Sequence, residues 1–211
     1  MKLLNKCIGI FLSIALVITV TPLFGNEVLA ADNPAKIFTI EDLYSINSNM
    51  DGDYILMNDL DLSEATSNGG DWDFMGNGWE PIGSGGAYGN TAFTGTFDGN
   101  GYTIKGLRIN ITELPESTGG DIYAGLFANN CGVIKNVNID MNSTIAVKII
   151  NHNLYVGSIA GSNHGEITNC YNEGLLDVDA KNEIGRYTYT NVTRYTFVGG
   201  ICGYLDGGVI S

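Results

Sequence analysis

The sequence predicts an all-β protein built as a parallel β-helix, with a short capping helix at its N-terminal end. Three observations carry that expectation. A unit of about 30 residues recurs along the chain, the length of a solenoid or array repeat. Glycine supplies 29 of 211 residues, about twice the usual ~7%. Apolar residues fall in short runs, several alternating with period two, that end at Gly, Asn or Asp, the residues that tolerate tight turns.

The first thirty residues read as a secretory signal peptide. Lys2 and Lys6 give a basic start, and Cys7 to Val20 is apolar apart from a few small polar residues. Pro22 and Gly25 break the run, and Val28-Leu29-Ala30 sets small residues for cleavage after Ala30 or Ala31. An uncleaved anchor is disfavoured because a spanning helix wants about 20 apolar residues and Pro22 comes too soon. No Cys follows the cut, which disfavours a lipoprotein, and no later run is long enough to span a membrane. Processing removes Lys2, Lys6 and Glu27, leaving 8 Lys and Arg against 22 Asp and Glu. The net charge moves from −13 to −14. Such an acid excess argues against nucleic-acid or anionic-lipid partners, which are bound through Lys and Arg. Cys131, Cys170 and Cys202 remain. An odd, sparse set is not a disulfide framework, though one pair plus a free thiol is compatible with it.

Residues 31–50 form an N-terminal segment with a helix. Thr39-Ile-Glu-Asp42 has capping-box form, with Ile40, Leu43 and Tyr44 on a common face. A helix here would cover the exposed end of a solenoid. Residues 51–211 carry the repeats, beginning with Tyr54 to Leu62 as a strand pair. Copies begin at Tyr123, Tyr155 and Phe197, with a weaker one at Thr94. Anchoring on Gly95, Gly125, Gly157 and Gly199 gives spacings of 30, 32 and 42 residues, the last holding an insertion over Lys181 to Arg194. Strand signals include Val133, Ile134, Val137 and Ile139, the alternation Ile145, Val147, Ile149, and Tyr187, Tyr189 and Val192. A propeller blade needs about 40–50 residues and ranks second. A β-sandwich leaves the repeat unexplained and ranks third. The copy at Phe197 stops at Ser211, so the chain is expected to be truncated at its C-terminus.

These stretches resemble the GLUG-type repeat of bacterial, mostly Gram-positive, surface proteins. The resemblance rests on YILMNDLDLS at Tyr54, WEPIG at Trp79, FTGTFDGNGYTIKGLRIN at Phe93, GLFANNCGVIKNV at Gly125 and VGSIAGSNHGEITNCYNEG at Val156. Similar repeats form the β-helical N-terminal region of immunoglobulin A-cleaving zinc metallopeptidases and occur in adhesin-like proteins. The resemblance implies a right-handed parallel β-helix on a secreted or wall-associated protein, with no catalytic residue in the repeats.

Candidate chemistry is thin. Asp59 and Asp61 fall on one side of a strand, a placement that paired carboxylates in glycoside cleavage share; Leu60 and Leu62 facing the core would equally explain it. Asp51, Asp53, Asp59 and Asp61 could supply oxygens to calcium, yet neither an EF-hand nor a nonapeptide repeat is spelled. His152 and His164 are the only histidines, and HExxH, GxSxG, CxxC and P-loop signatures are absent. Leu114 to Gly119 is sortase-like but is followed by no apolar tail. Cys170 reads as a structural thiol.

The least repeat-like stretch, Ser63 to Asn90, holds eight glycines with Trp72, Phe74, Trp79 and Tyr88. Trp72, Trp79 and Tyr88 are the candidate ligand residues, because aromatic rings can stack on sugars; packing against the core is the competing role for both tryptophans. The expectation is therefore a non-enzymatic module, secreted or cell-wall associated, that displays loops to glycans or extracellular proteins. It requires no cofactor or metal and no membrane span after processing. The alternative is the N-terminal part of a larger secreted enzyme.

Overall fold

The computed structural model describes residues 33–85, 89–112, 120–149, 152–179 and 195–211. The expected signal peptide with its Ala30 cut, Tyr88, the sortase-like segment and the insertion over 181–194 lie outside the described residues. The chain divides into two units, Met1–Asn33 and Pro34–Ser211, and every strand among the described residues lies in the second. Among the described residues the architecture is all-β, with parallel sheets and one short α-helix.

Strand β1 (Ala35–Ile37) leads into helix α1 (Ile40–Ser45). Thr39 and Asp42 close the capping box that the sequence spells. The Thr39 hydroxyl accepts from Asp42 N at 3.2 Å, and the Asp42 carboxylate accepts from Thr39 N at 3.1 Å. Two otherwise orphaned amide donors are thus satisfied. The helix buries Leu43, and the turn after it buries Ile46.

Next come β2 (Asp53–Leu56) and β3 (Leu60–Asp61), then a small hairpin of β4 (Ser84–Gly85) and β5 (Gly89–Asn90). Three strands follow: β6 (Thr96–Asp98), β7 (Thr103–Lys105) and β8 (Arg108–Ile111). The next set is β9 (Asp121–Ala124), β10 (Phe127–Asn130), β11 (Val133–Lys135), β12 (Asn138–Ile139) and β13 (Thr144–Val147). The same pattern recurs as β14 (Asn153–Gly157), β15 (Ala160–Asn163), β16 (Glu166–Thr168), β17 (Tyr171–Asn172) and β18 (Leu175–Val178). Last are β19 (Thr196–Gly199), β20 (Cys202–Leu205) and β21 (Val209–Ile210).

Apart from the antiparallel hairpin of β4 and β5, each strand pairs in parallel with its counterpart in the neighbouring set. The sheets are β1-β2-β6-β11-β16-β21, β3-β7-β12-β17, β8-β13-β18, β9-β14-β19 and β10-β15-β20. Register stacks like on like. One core column runs Tyr54, Phe97, Ile134, Ile167, and another runs Leu60, Ile104, Ile139. A third is Ile109 with Ile145. All of these are buried. The period-two alternation thus serves one inward row per strand, as pleat geometry demands.

The non-repetitive stretch completes the sheets. Trp79 N donates to Arg108 O at 2.7 Å, covering the outer edge of β8. Ile82 N donates to Leu126 O at 3.0 Å, Ile82 O accepts from Ala128 N at 2.8 Å, and Phe93 N donates to Asn129 O at 2.9 Å, covering the edge of β10. Edges that would otherwise expose a row of unpaired backbone groups are closed. Phe93 and Phe97 then pack on Phe127, with ring centroids 5.0 and 5.4 Å away.

Register corrects one alignment. Gly125, Gly157 and Gly199 share a column, since Gly157 pairs with Gly199 and Val156 with Ala124. Gly95 does not belong to it. Thr96 pairs with Asp53 and with Val133, Val133 with Glu166, and Glu166 with Val209. Gly95 therefore stands in line with Gly52, Gly132, Gly165 and Gly208. In this second column a Cβ on Gly95 would strike Gly52 O, one on Gly132 would strike Gly95 O, and one on Gly165 would strike Gly132 O. Close backbone approach between neighbouring sets is what requires glycine there.

Candidate functional site

A cleft of about 430 Å³ opens beside α1, lined by Tyr44, Asp71, Trp72, Asp73, Phe74, Met75 and Glu80. It is assembled from the helix and the loop that separates β3 from β4. Asp73 winds that loop into shape. Its carboxylate accepts from Gly69 N and Gly78 N, both at 2.8 Å, and pairs with Arg108 at 3.3 Å. The Gly69 amide, chiefly, holds its carboxyl below the ordinary range against the opposing effect of burial, with Gly78 N–H and the Arg108 guanidinium adding to it. Arg108 also donates to Thr66 O at 3.0 Å, tying the loop to β8.

Trp72 and Trp79 have separate fates. Trp79 is 2% exposed and donates its indole N–H to Leu126 O at 3.2 Å. It belongs to the core and presents no face to a ligand. Trp72 is half-buried on the cleft wall, with its centroid 4.7 Å from Tyr44 and 6.5 Å from Trp79. The Glu41 carboxyl nearby is held low first by its own backbone amide, then by the Thr39 hydroxyl, with the Trp72 indole contributing less. Phe74 and Met75 stand exposed at the rim. Glu80, inside the cleft, accepts from Tyr44 OH at 2.8 Å and from Ser84 Oγ at 3.1 Å.

The other candidates resolve into structural ties. Asp59 and Asp61 are exposed while Leu60 and Leu62 are buried. Asp59 pairs with Lys105 at 2.7 Å and accepts from Thr103 N, while Asp61 accepts from Ser63 N at 2.9 Å. Asp51, Asp53, Asp59 and Asp61 do not gather, and no metal-holding group occurs among the described residues. His152 Nδ1 meets Gly120 O at 3.1 Å. Ser162, His164 and Asp206 connect as a nucleophilic triad would, with Ser162 Oγ 3.2 Å from Nε2 and Asp206 Oδ2 3.6 Å from Nδ1. Ser162, however, is 2% exposed between Asn129 and Tyr204, so a substrate carbonyl cannot approach it. Cys170 and Cys202 are free thiols. Burial raises both and pushes Cys202 up to about 11, which suits packing rather than thiolate chemistry.

Asparagines tie the repeats together. Asn136 donates to Asp98 at 2.9 Å and accepts from Asn169 at 2.7 Å, with Asn136 and Asn169 both in the left-handed region. A second pair, Asn130 and Asn163, bonds at 2.7 Å, fully buried. Residues 152–179 match the family described as the GLUG motif. The chain carries the GLUG motif. That stretch runs through β14 to β18, and β14, β15 and β16 each have a parallel neighbour on both sides. The GLUG segment thus supplies both Asn163 and Asn169.

Two curated relatives align over most of the chain. It is 34% identical over 155 residues to Halomucin of Haloquadratum walsbyi, covering 71% of this chain and 2% of that protein. It is 31% identical over 142 residues to a protein of Evansella cellulosilytica named as a Gly-rich membrane protein, covering 65% of this chain and 14% of the other. The chain spans only a small part of either relative. A solved structure from Bacteroides ovatus, named as an immunoglobulin A1 protease, aligns with a TM-score of 0.41 and 16% identity, over 85% of this chain and 64% of that one.

Several carboxyls that tie neighbouring strands and turns are held low. For Asp59 the cause is chiefly Lys105, and for Asp61 chiefly the Ser63 hydroxyl. For Asp98 and Asp140 burial is the largest single influence and pushes the other way; Asn136, Asn100 N–H and Lys135 together outweigh it at the first, and Gly106 N–H, Ser143 and Asn142 together at the second. A carboxyl lowered on folding stabilises above the unfolded value, near ~4, and that contribution is lost as pH falls below it. The melting temperature is expected to hold between about pH 7 and 5 and to drop steeply toward about pH 3. Calorimetry across that range checks this, and Asp140→Asn should shift the profile while blunting its acid limb.

Proposed function

We propose that the chain is an exported, non-enzymatic surface module whose repeats wind as a right-handed parallel β-helix, and that the cleft beside α1 contacts glycans. The parallel, set-on-set pairing supports the helix, and right-handed crossovers are the rule for parallel strands. In this reading residues 1–30 are the signal peptide, 31–50 the N-terminal segment with its cap, and 51–211 the helix. A relative named as a membrane protein supports a place at the cell envelope.

The observation that carries the binding role is Trp72, a half-buried ring on a cleft wall with Tyr44 beside it. Flat apolar area with a hydrogen-bonding edge suits a sugar ring. The partners are host or cell-wall glycans, with extracellular proteins as the second class. Binding of the purified chain to immobilised cell-wall and host polysaccharides tests the proposal. Trp72→Ala is expected to weaken binding about tenfold or more, and Trp72→Phe much less. Intact fold with no binding to any polysaccharide would overturn it.

A further inference from the structure

We infer that the cleft selects a protonated amine carried on the sugar, so that its ligand is an amino sugar with its nitrogen unacetylated. This deepens the glycan-contact proposal and rests on it. The decisive residue is Glu80. It is 9% exposed, and both carboxylate oxygens accept from neutral hydroxyls, those of Tyr44 and Ser84. Among the described residues no Lys, Arg or His forms an ion pair with it. A charge taken out of water without a counter-charge is costly, and a cation arriving in the cleft would remove that cost.

The neighbours sharpen the choice. Asp73 is already paired with Arg108 of β8, so that cation is spent. Asp71 stands exposed on the same lining, adding negative potential at the mouth. Trp72 and Tyr44 line the same space, and aromatic faces attract ammonium groups. A neutral sugar would leave Glu80 uncompensated, and an acidic sugar would be repelled. An ammonium group on a ring satisfies both walls: the ring lies along Trp72 and the nitrogen faces Glu80.

The test titrates the full chain with two tetrasaccharides, one of β-1,4-linked glucosamine and one of N-acetylglucosamine. It follows tryptophan fluorescence and heat of binding below the amine pKa. The glucosamine tetramer is expected to bind about tenfold more tightly, the gain of one cation–π and carboxylate contact. Glu80→Gln keeps the size and acceptor of the side chain and should abolish that preference, while Trp72→Ala should abolish both interactions. A general attraction of the acidic chain for a polycation would survive Glu80→Gln, so a persisting preference overturns the assignment to Glu80. Equal binding of the two tetramers overturns the amine inference and leaves the glycan proposal standing. Binding of neither, with the melting curve intact, overturns the amine inference, and the glycan proposal falls with it only when the immobilised polysaccharides fail to bind as well. Thermal melts of Glu80→Gln confirm that the variant compared is folded.

Discussion

Gly132→Val is expected to destabilise the protein by more than about 3 kcal/mol, the upper range for overpacking a close contact. The new Cβ would strike Gly95 O and sit 2.9 Å from Gly95 N. Gly95 O cannot retreat, because it accepts from Val133 N at 2.9 Å in the ladder that joins β6 to β11. Nor can the stack spread locally, since the same contact repeats between Gly132 and Gly165. Gly200→Ala is the control. A Cβ there meets nothing within 4 Å, so its effect should stay within about 0.5 kcal/mol. Urea unfolding followed by circular dichroism compares the two. Coincident midpoints for Gly132→Val and the unsubstituted chain would mean that the glycine column is not what sets the spacing between neighbouring sets.

That column also marks where the sequence was legible and where it was not. Periodicity exposed the repeats because inward residues recur at strand spacing, and the capping box exposed α1 because its two side chains lie three residues apart. Register was harder. Gly95 and Gly125 both precede strand-like runs, so local pattern cannot decide which strands face each other. Only the pairing of Thr96 with Val133 separates the two glycine columns. Likewise the stretch from Ser63 onward departs from the repeat in composition, which conceals that Trp79 and Ile82 occupy strand positions at the edges of β8 and β10.

The cleft was half legible. Trp72 and Trp79 announce themselves as aromatics in a glycine-rich loop, but their division into wall and core depends on tertiary burial. Tyr44 and Glu80 gave no signal of a shared site, because the hydrogen bond joining them spans 36 residues of sequence. Glu80 sits in WEPIG, a stretch that reads as packing. A carboxylate within an otherwise apolar buried segment was the available hint, since an unpaired acid is rarely buried.

The second large effect concerns Asn163. Its amide accepts from Asn130 Nδ2 at 2.7 Å and from Gly165 N, and donates to Gly165 O and Val209 O. Asn163→Leu removes all of these inside the core and should cost about 3 kcal/mol, as orphaned buried polar groups do. Asn163→Asp separates charge from hydrogen bonding. It keeps the acceptor oxygen but turns a carboxylate oxygen toward the carbonyls of Gly165 and Val209. Burial and those carbonyls must raise its folded pKa above the unfolded value near ~4. The penalty should then be greatest at about pH 7 and shrink as pH falls toward ~4, where the protonated acid can donate again. This runs opposite to the acid lability of the parent chain, whose carboxyl ties are lost below that pH. The melting curves of the two proteins should therefore converge as pH drops, while those of Asn163→Leu and the parent stay parallel. A constant gap between Asn163→Asp and the parent at every pH would place residue 163 in contact with water and dissolve the case for a dry asparagine pair between β10 and β15.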